Sequence, residues 1–166
     1  MRLFLATLAL VLLVGQNARG ESAFWLERGH WWIGNTKDAC VAGSRPSIEM
    51  NVSPFMSLEL IYRPEGRELL VQANYWPDAF RKDQTTTMSL LKRGEEEIAL
   101  PATAVTDYAI LSDRGLTPKE IRELAKQIVL VVRAEGLAHG LGVQTIPSLR
   151  IIELDLKSCA RFLETD

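Results

Sequence analysis

Short stretches of alternating apolar and polar residues dominate the chain from residue 57 onward, and alternation of period two is the mark of a half-buried strand. Ser57-Leu58-Glu59-Leu60-Ile61-Tyr62 alternates and runs into Arg63-Pro64-Glu65-Gly66-Arg67, a turn with proline early and glycine late. Glu68 to Tyr75 returns, so the two predict an antiparallel hairpin. Thr85–Leu91 is β-branched enough for a further strand, Lys92–Glu96 reads as a charged turn, and Glu97–Leu100 runs on to Pro101. Val105–Leu111 predicts one more strand. Upstream, Trp31-Trp32-Ile33-Gly34 predicts a first strand after an aromatic-rich lead-in, and Lys37–Pro46 reads as a polar loop that contains Cys40.

The period changes at Leu116-Thr117-Pro118-Lys119-Glu120-Ile121. Thr117 is placed to cap a helix, Pro118 suits its first position and Glu120 completes a capping box, with Leu116 and Ile121 spaced as a hydrophobic staple. Ile121, Leu124, Ala125 and Ile128 give it one apolar face. Ile128–Val132 then reads as a buried strand, and the glycine-rich stretch Glu135–Gly142 as a hairpin loop. The C-terminus fits two periods. Leu149, Ile152, Leu156, Cys159 and Leu163 form a helical stripe, while Ile152, Leu154 and Leu156 alternate with acids as in a strand. The expectation is a strand over Leu149–Leu156 followed by a short helix over Lys157–Leu163. Together the elements predict a mainly β fold, an antiparallel sandwich or bent barrel with one or two short helices near the C-terminus.

The first twenty residues have a different character. Met1-Arg2 is positively charged, Leu3–Val14 is apolar apart from Thr7, and Ala18-Arg19-Gly20 puts small residues where a signal peptidase requires them. The apolar run is shorter than the ~20 residues needed to span a bilayer. The expectation is a signal peptide over 1–20, cut after Gly20, and a single β-rich domain over 21–166 located in the periplasm or secreted. No later segment is long and apolar enough to serve as a transmembrane span. Loss of Arg2 and Arg19 moves the formal charge from −2 to −4. A mildly acidic domain without a basic run gives no basis for a nucleic-acid partner. Cys40 and Cys159 are the only cysteines, and in an oxidising compartment they are expected to pair. Closing so long a loop stabilises by about 4–5 kcal/mol in the chain-entropy view.

Candidate chemistry is sparse. His30 and His139 fall in no metal-ligand spacing and no further histidine or cysteine is free to complete a site, so neither metal nor cofactor is expected. No serine lies in a nucleophile motif. Glu95-Glu96-Glu97 reads as a solvated charge run, and Glu59 and Glu68 as the wet side of the hairpin. The stretch 136–142 lacks the lysine of a phosphate loop. Aromatics cluster in two places, at Trp25, Trp31 and Trp32 and at Tyr75, Trp76 and Phe80. Most are expected to be core. Trp76-Pro77-Asp78-Ala79-Phe80 stands at a strand end, however, where Pro77 interrupts the ladder. Trp76, Asp78 and Phe80 are therefore taken as a partner-binding patch.

Trp32 shortly before Cys40, the hairpin ending in Asn74-Tyr75-Trp76, and the closing Leu154-Asp155-Leu156-Lys157-Ser158-Cys159-Ala160-Arg161-Phe162-Leu163 resemble exported bacterial proteins related to the invasion-associated locus B family. Ser158 stands where that family often has glycine. The resemblance implies a periplasmic or secreted β-rich domain that closes with a strand leading into a short helix, without an established catalytic site. The functional expectation is a non-enzymatic binding domain for a protein or envelope partner. The alternatives are an inhibitor or immunity-type protein that inserts a loop into a toxic enzyme, and a small hydrolase whose acids assemble in space.

Overall fold

Ten short strands and two helices make up the described residues, which in this computed structural model are 24–44, 57–91, 97–137, 141–144 and 148–164. The expected export signal with its cut after Gly20, the charged segment 92–96 and His139 lie outside them. The strands are β1 (Trp25–Arg28), β2 (Trp31–Asn35), β3 (Cys40–Ser44), β4 (Ser57–Arg63), β5 (Glu68–Asn74), β6 (Thr85–Leu91), β7 (Glu97–Ala104), β8 (Ala109–Ser112), β9 (Val129–Ala134) and β10 (Leu141–Gln144). Helix α1 (Pro118–Leu124) joins β8 to β9, and α2 (Leu149–Leu163) ends the fold.

All ten strands belong to one antiparallel sheet in the order β1-β2-β3-β4-β5-β8-β7-β6-β9-β10. The mainly β, antiparallel fold expected from the sequence is thus what forms. Strands β6 to β8 are a meander whose last member returns beside β5, a Greek-key arrangement. The sheet bends enough to bring β10 near β4, and the Tyr75 hydroxyl donates across to the Val132 carbonyl at 3.4 Å. It does not close into a barrel, because β1 and β10 do not pair with each other. Its inner face is largely apolar: Ile33, Ala42, Leu58, Leu60, Val71, Met88, Leu100, Ile110 and Val132 are all buried, and the buried Ser44 and Ser112 hydroxyls accept from Leu58 N and Val71 N. No helix among the described residues is long and apolar enough to cross a membrane.

The predicted antiparallel hairpin forms, with its register running from Ser57↔Asn74 to Arg63↔Glu68. Its left-handed turn residue is Arg67 (φ 51°) rather than Gly66. Helix α1 begins as the sequence indicates. Thr117 Oγ1 accepts from Glu120 N at 3.2 Å, and Glu120 accepts from Thr117 N at 2.7 Å. Arg114 grips the same carboxylate at 2.8 Å, and this pairing holds Glu120 at about 2, well below its ordinary range.

Several expectations change. Residues Cys40–Ser44, read as loop, are strand β3; the run Cys-Val-Ala-Gly-Ser is too small and too short to alternate visibly, yet it is paired on both sides. Edge strand β1 was not anticipated. Val105–Tyr108 is a turn, and β8 starts only at Ala109. Strand β7 continues through Pro101 to Ala104. Proline fits there because its carbonyl accepts from Asp113 N, which places its missing N–H on the same side, where β8 has already ended. Helix α1 stops at Leu124, so Ile128 is left 66% exposed, and β9 alternates instead of being buried on both faces.

The largest correction is at the C-terminus. The expected strand over Leu149–Leu156 is the first half of α2, a helix from Leu149 to Leu163. Leu149, Ile152, Leu156, Cys159 and Ala160 recur at helical spacing and are buried, whereas Leu154, which a strand would have needed inside, is 56% exposed. The Cys40–Cys159 disulfide fastens α2 to β3, with Cα atoms 6.1 Å apart and a sequence separation of 119. Arg28 Nε meets Asp155 at 2.8 Å and Phe24 packs on Phe162 at 5.9 Å, tying the start of the sheet to the same helix.

The segment Tyr75–Gln84 closes one end of the fold. Asp78 adopts φ 63°, a left-handed turn that aspartate tolerates better than most residues. The chain thereby reverses, Phe80 N bonds to Asp107 O, and the Phe80 ring enters the core edge-on to Tyr75 at 5.5 Å. Phe80 is only 6% exposed. It is core, not part of a partner-binding patch. Trp76 is half-buried against the same core, and of the three residues only Asp78 is fully on the surface.

Two stability outcomes follow. Phe80→Ala is expected to cost about 3–5 kcal/mol, the usual effect of emptying a buried aromatic site, with a smaller loss for Trp76→Ala; urea unfolding measures both. Replacing Cys40 and Cys159 together by alanine is expected to lower the unfolding free energy by up to about 5 kcal/mol, and an unchanged midpoint under the same denaturant would contradict the clamp.

Candidate functional site

Alternation sends consecutive tryptophans to opposite faces of the sheet. In β2, Trp31 points inward and is fully buried, while Trp32 points outward. Strand β1 reaches β2 through the tight turn at Gly29 and His30, where Gly29 takes φ 58°. It places Trp25 opposite Gly34 and on the same outer face as Trp32. Trp32 stands opposite Gly43 of β3, and Gly43 in turn stands opposite Glu59 of β4.

The two glycines decide where the indoles lie. A Cβ on Gly43 would fall 2.3 Å from the Trp32 ring, and one on Gly34 would fall 3.3 Å from that of Trp25. Each indole therefore occupies the space a side chain would have taken on the next strand. The rings end up parallel, with centroids 5.6 Å apart and 7° between planes. Trp25 remains 62% exposed. The ties from Arg28 and Phe24 to α2 hold this edge of the sheet in place. The Asn35 side chain also accepts from Phe24 N at 2.7 Å.

Beyond Trp32 the same face carries Glu59, half-buried and held by carboxamides. Gln72 Nε2 donates to its Oε2 at 3.1 Å and Asn74 Nδ2 to its Oε1 at 3.2 Å. Asn74 also donates to Ser57 Oγ at 2.8 Å. Burial pushes the Glu59 carboxyl above its ordinary value, against the opposing pull of the Asn74 hydrogen bond. The ion pairs among the described residues join Arg28 to Asp155, Arg114 to Glu120, Lys119 to Glu123 and Lys157 to Glu153, and none involves Glu59. Its position on the wet side of the hairpin, expected from the alternation, is thus only half right: it faces outward, but under partial cover.

Phe24, Trp25, Trp32, Val41 and Glu59 line a groove of about 350 Å³. The chemistry on offer is an aromatic surface ending at one carboxylate. Among the described lining residues Glu59 is the one ionisable group, and Asn35 and Thr36 add polar atoms at the rim. Trp25, Trp32 and Glu59, noted in the sequence, meet here, but the residues taken as a partner-binding patch do not. Trp76, Asp78 and Phe80 belong to the Tyr75–Gln84 segment, and His30 is exposed in the β1–β2 turn. Among the described residues no three of His, Cys, Asp and Glu converge as a metal site would require. The groove could have been anticipated only by recognising β3, since Gly43 is the residue that links Trp32 to Glu59.

No protein-family model, curated protein or solved structure matches this chain.

Gly43→Ala is expected to force the Trp32 indole off the sheet, because the added methyl falls inside the ring's contact distance and the ring cannot shift away without breaking its stack on Trp25. The exciton-coupled circular-dichroism band of a parallel indole pair should then disappear. A band of unchanged strength would show that Trp32 does not lie on Gly43.

Proposed function

We propose that this is an exported domain that works by binding rather than by catalysis, and that it binds through the tryptophan platform of β1 and β2. The observation that carries this reading is Trp25: a large indole, mostly exposed, stacked on a second indole and set on a sheet that is fixed from behind by α2. Tryptophan is the residue most often found at the energetic centre of a binding surface, and a groove rimmed by polar residues is the usual form of such a site.

Export is supported by the signal-like first twenty residues and by a disulfide of the kind that persists outside the reducing cytoplasm. The resemblance to the invasion-associated locus B family, whose members are exported, points the same way. An envelope or host component is the expected class of partner. The hydrolase alternative gains nothing from this groove, which offers one carboxylate where general acid–base hydrolysis calls for two groups.

The test is capture from envelope extract by the immobilised, oxidised chain beginning at Glu21. Trp25→Ala should leave the melting temperature nearly unchanged, as exposed substitutions do, and should reduce retention of the captured component about tenfold or more. Equal retention by Trp25→Ala and the parent would remove the platform from the function.

A further inference from the structure

We infer that the groove between Trp25, Trp32 and Glu59 is a site for a small quaternary ammonium compound, seated with its methyl groups on the indoles and its charge against the Glu59 carboxylate. This rests on the reading of the tryptophan platform as the binding surface and names the ligand class it takes.

Charge is the first argument. Glu59 is half-buried, and it takes part in none of the ion pairs of the described residues. Two carboxamide N–H groups steady it but bring no positive charge. A carboxylate partly withdrawn from water gains from a nearby positive charge, and a cationic ligand supplies one. Ionised, the group offers about four lone-pair directions, of which Gln72 and Asn74 use two, so its capacity to accept a ligand remains.

The aromatic lining is the second argument. The face of an indole is the most attractive of all side-chain surfaces for a cation, and aromatic surfaces are the common means of recognising quaternary ammonium groups. Phe24 and Val41 add apolar surface, and Asn35 and Thr36 are the polar members of the lining besides Glu59. A primary ammonium would bring three N–H groups that each need an acceptor; among the described lining residues Glu59 is the one carboxylate, while the Asn35 side-chain oxygen already accepts from Phe24 N and the Thr36 hydroxyl donates to Ala39 O. A quaternary ammonium has no N–H to satisfy, and its methyl shell matches apolar walls. The volume of about 350 Å³ suits a small molecule. Among the described residues the lining has no lysine or arginine to receive a phosphate, which favours the free ammonium compound over a phosphocholine headgroup. A neutral sugar could stack on Trp25, but it would leave the carboxylate charge uncompensated.

Choline is the probe, titrated into the oxidised chain from Glu21 and followed by calorimetry and indole fluorescence. Its neutral isostere, 3,3-dimethyl-1-butanol, serves as the charge control, and glucose as the sugar control. Choline should bind, and the isostere should bind roughly tenfold more weakly or not at all. Trp25→Ala and Glu59→Gln should each weaken choline by a similar factor. Glu59→Gln removes a charge that burial disfavours, so the variant is expected to fold.

The pH profile adds a sign. Only the ionised carboxylate attracts the ligand, so affinity should be full at neutral pH and fall as pH drops through the titration of Glu59, which burial shifts upward. Among the described residues of β1 to β5 the other charged groups on that face are Glu27, across Trp32, and Arg63 with Glu68 further along the hairpin. In Glu59→Gln the fall should vanish. Equal binding of choline and its isostere, or binding of glucose without choline, would overturn the ligand class while leaving the platform in place. Absence of any choline binding, with envelope capture still dependent on Trp25, would do the same. If capture is also indifferent to Trp25→Ala, both the ligand class and the platform reading fail.

Discussion

A single sheet with one largely apolar face has to hide that face, and the rest of the molecule follows from how it does so. From Ile33 in β2 to Val132 in β9 most inner side chains are buried hydrophobes, and each such side chain contributes about 1.5–3 kcal/mol when removed from water. Closure into a barrel would cover them, but the edges β1 and β10 stay apart. The sheet instead bends until its two ends approach, Phe80 and Tyr75 stop one end, and α2 seals the first strands with Ile152, Leu156 and Cys159. The Cys40–Cys159 bond makes that seal covalent, joining helix and sheet across a sequence separation of 119.

Covering the inner face from behind leaves the outer face of β1–β4 free of that task. There the side chains are not needed for the core, and the tryptophans found on it are held by a different device. Each of Trp25 and Trp32 lies across a glycine of the neighbouring strand, so the indoles are ordered without being buried. The Arg28–Asp155 pair and the Phe24–Phe162 contact brace the edge strand that carries Trp25. A preformed aromatic surface loses little conformational freedom when it meets a ligand, and Glu59, fixed by Gln72 and Asn74, gives that surface a charged end.

Local signals read well where the chemistry is local. The hairpin Ser57–Asn74, strand β6 and the capping box at Thr117 and Glu120 are set by residues only a few positions apart, and each forms as the sequence predicts. Where two periods compete the sequence is silent. The C-terminal segment satisfies both a strand and a helix pattern, and the choice falls to the sheet's need for a cover and to the bond that Cys159 makes with Cys40.

The sequence by itself determined the period-two hydrophobic pattern, and with it a mainly β antiparallel fold, the identity of the cysteine pair and the start of α1. The tertiary structure decided what faces what. It turned Cys40–Ser44 from loop into strand, drew Phe80 into the core, made residues Leu149–Leu156 helical, and assembled the groove from Trp25, Trp32 and Glu59. The reason is that a side chain's period is written along one strand, whereas its neighbours across the sheet depend on strand order and register. Gly43 lies between Trp32 and Glu59 only because β3 is paired between β2 and β4.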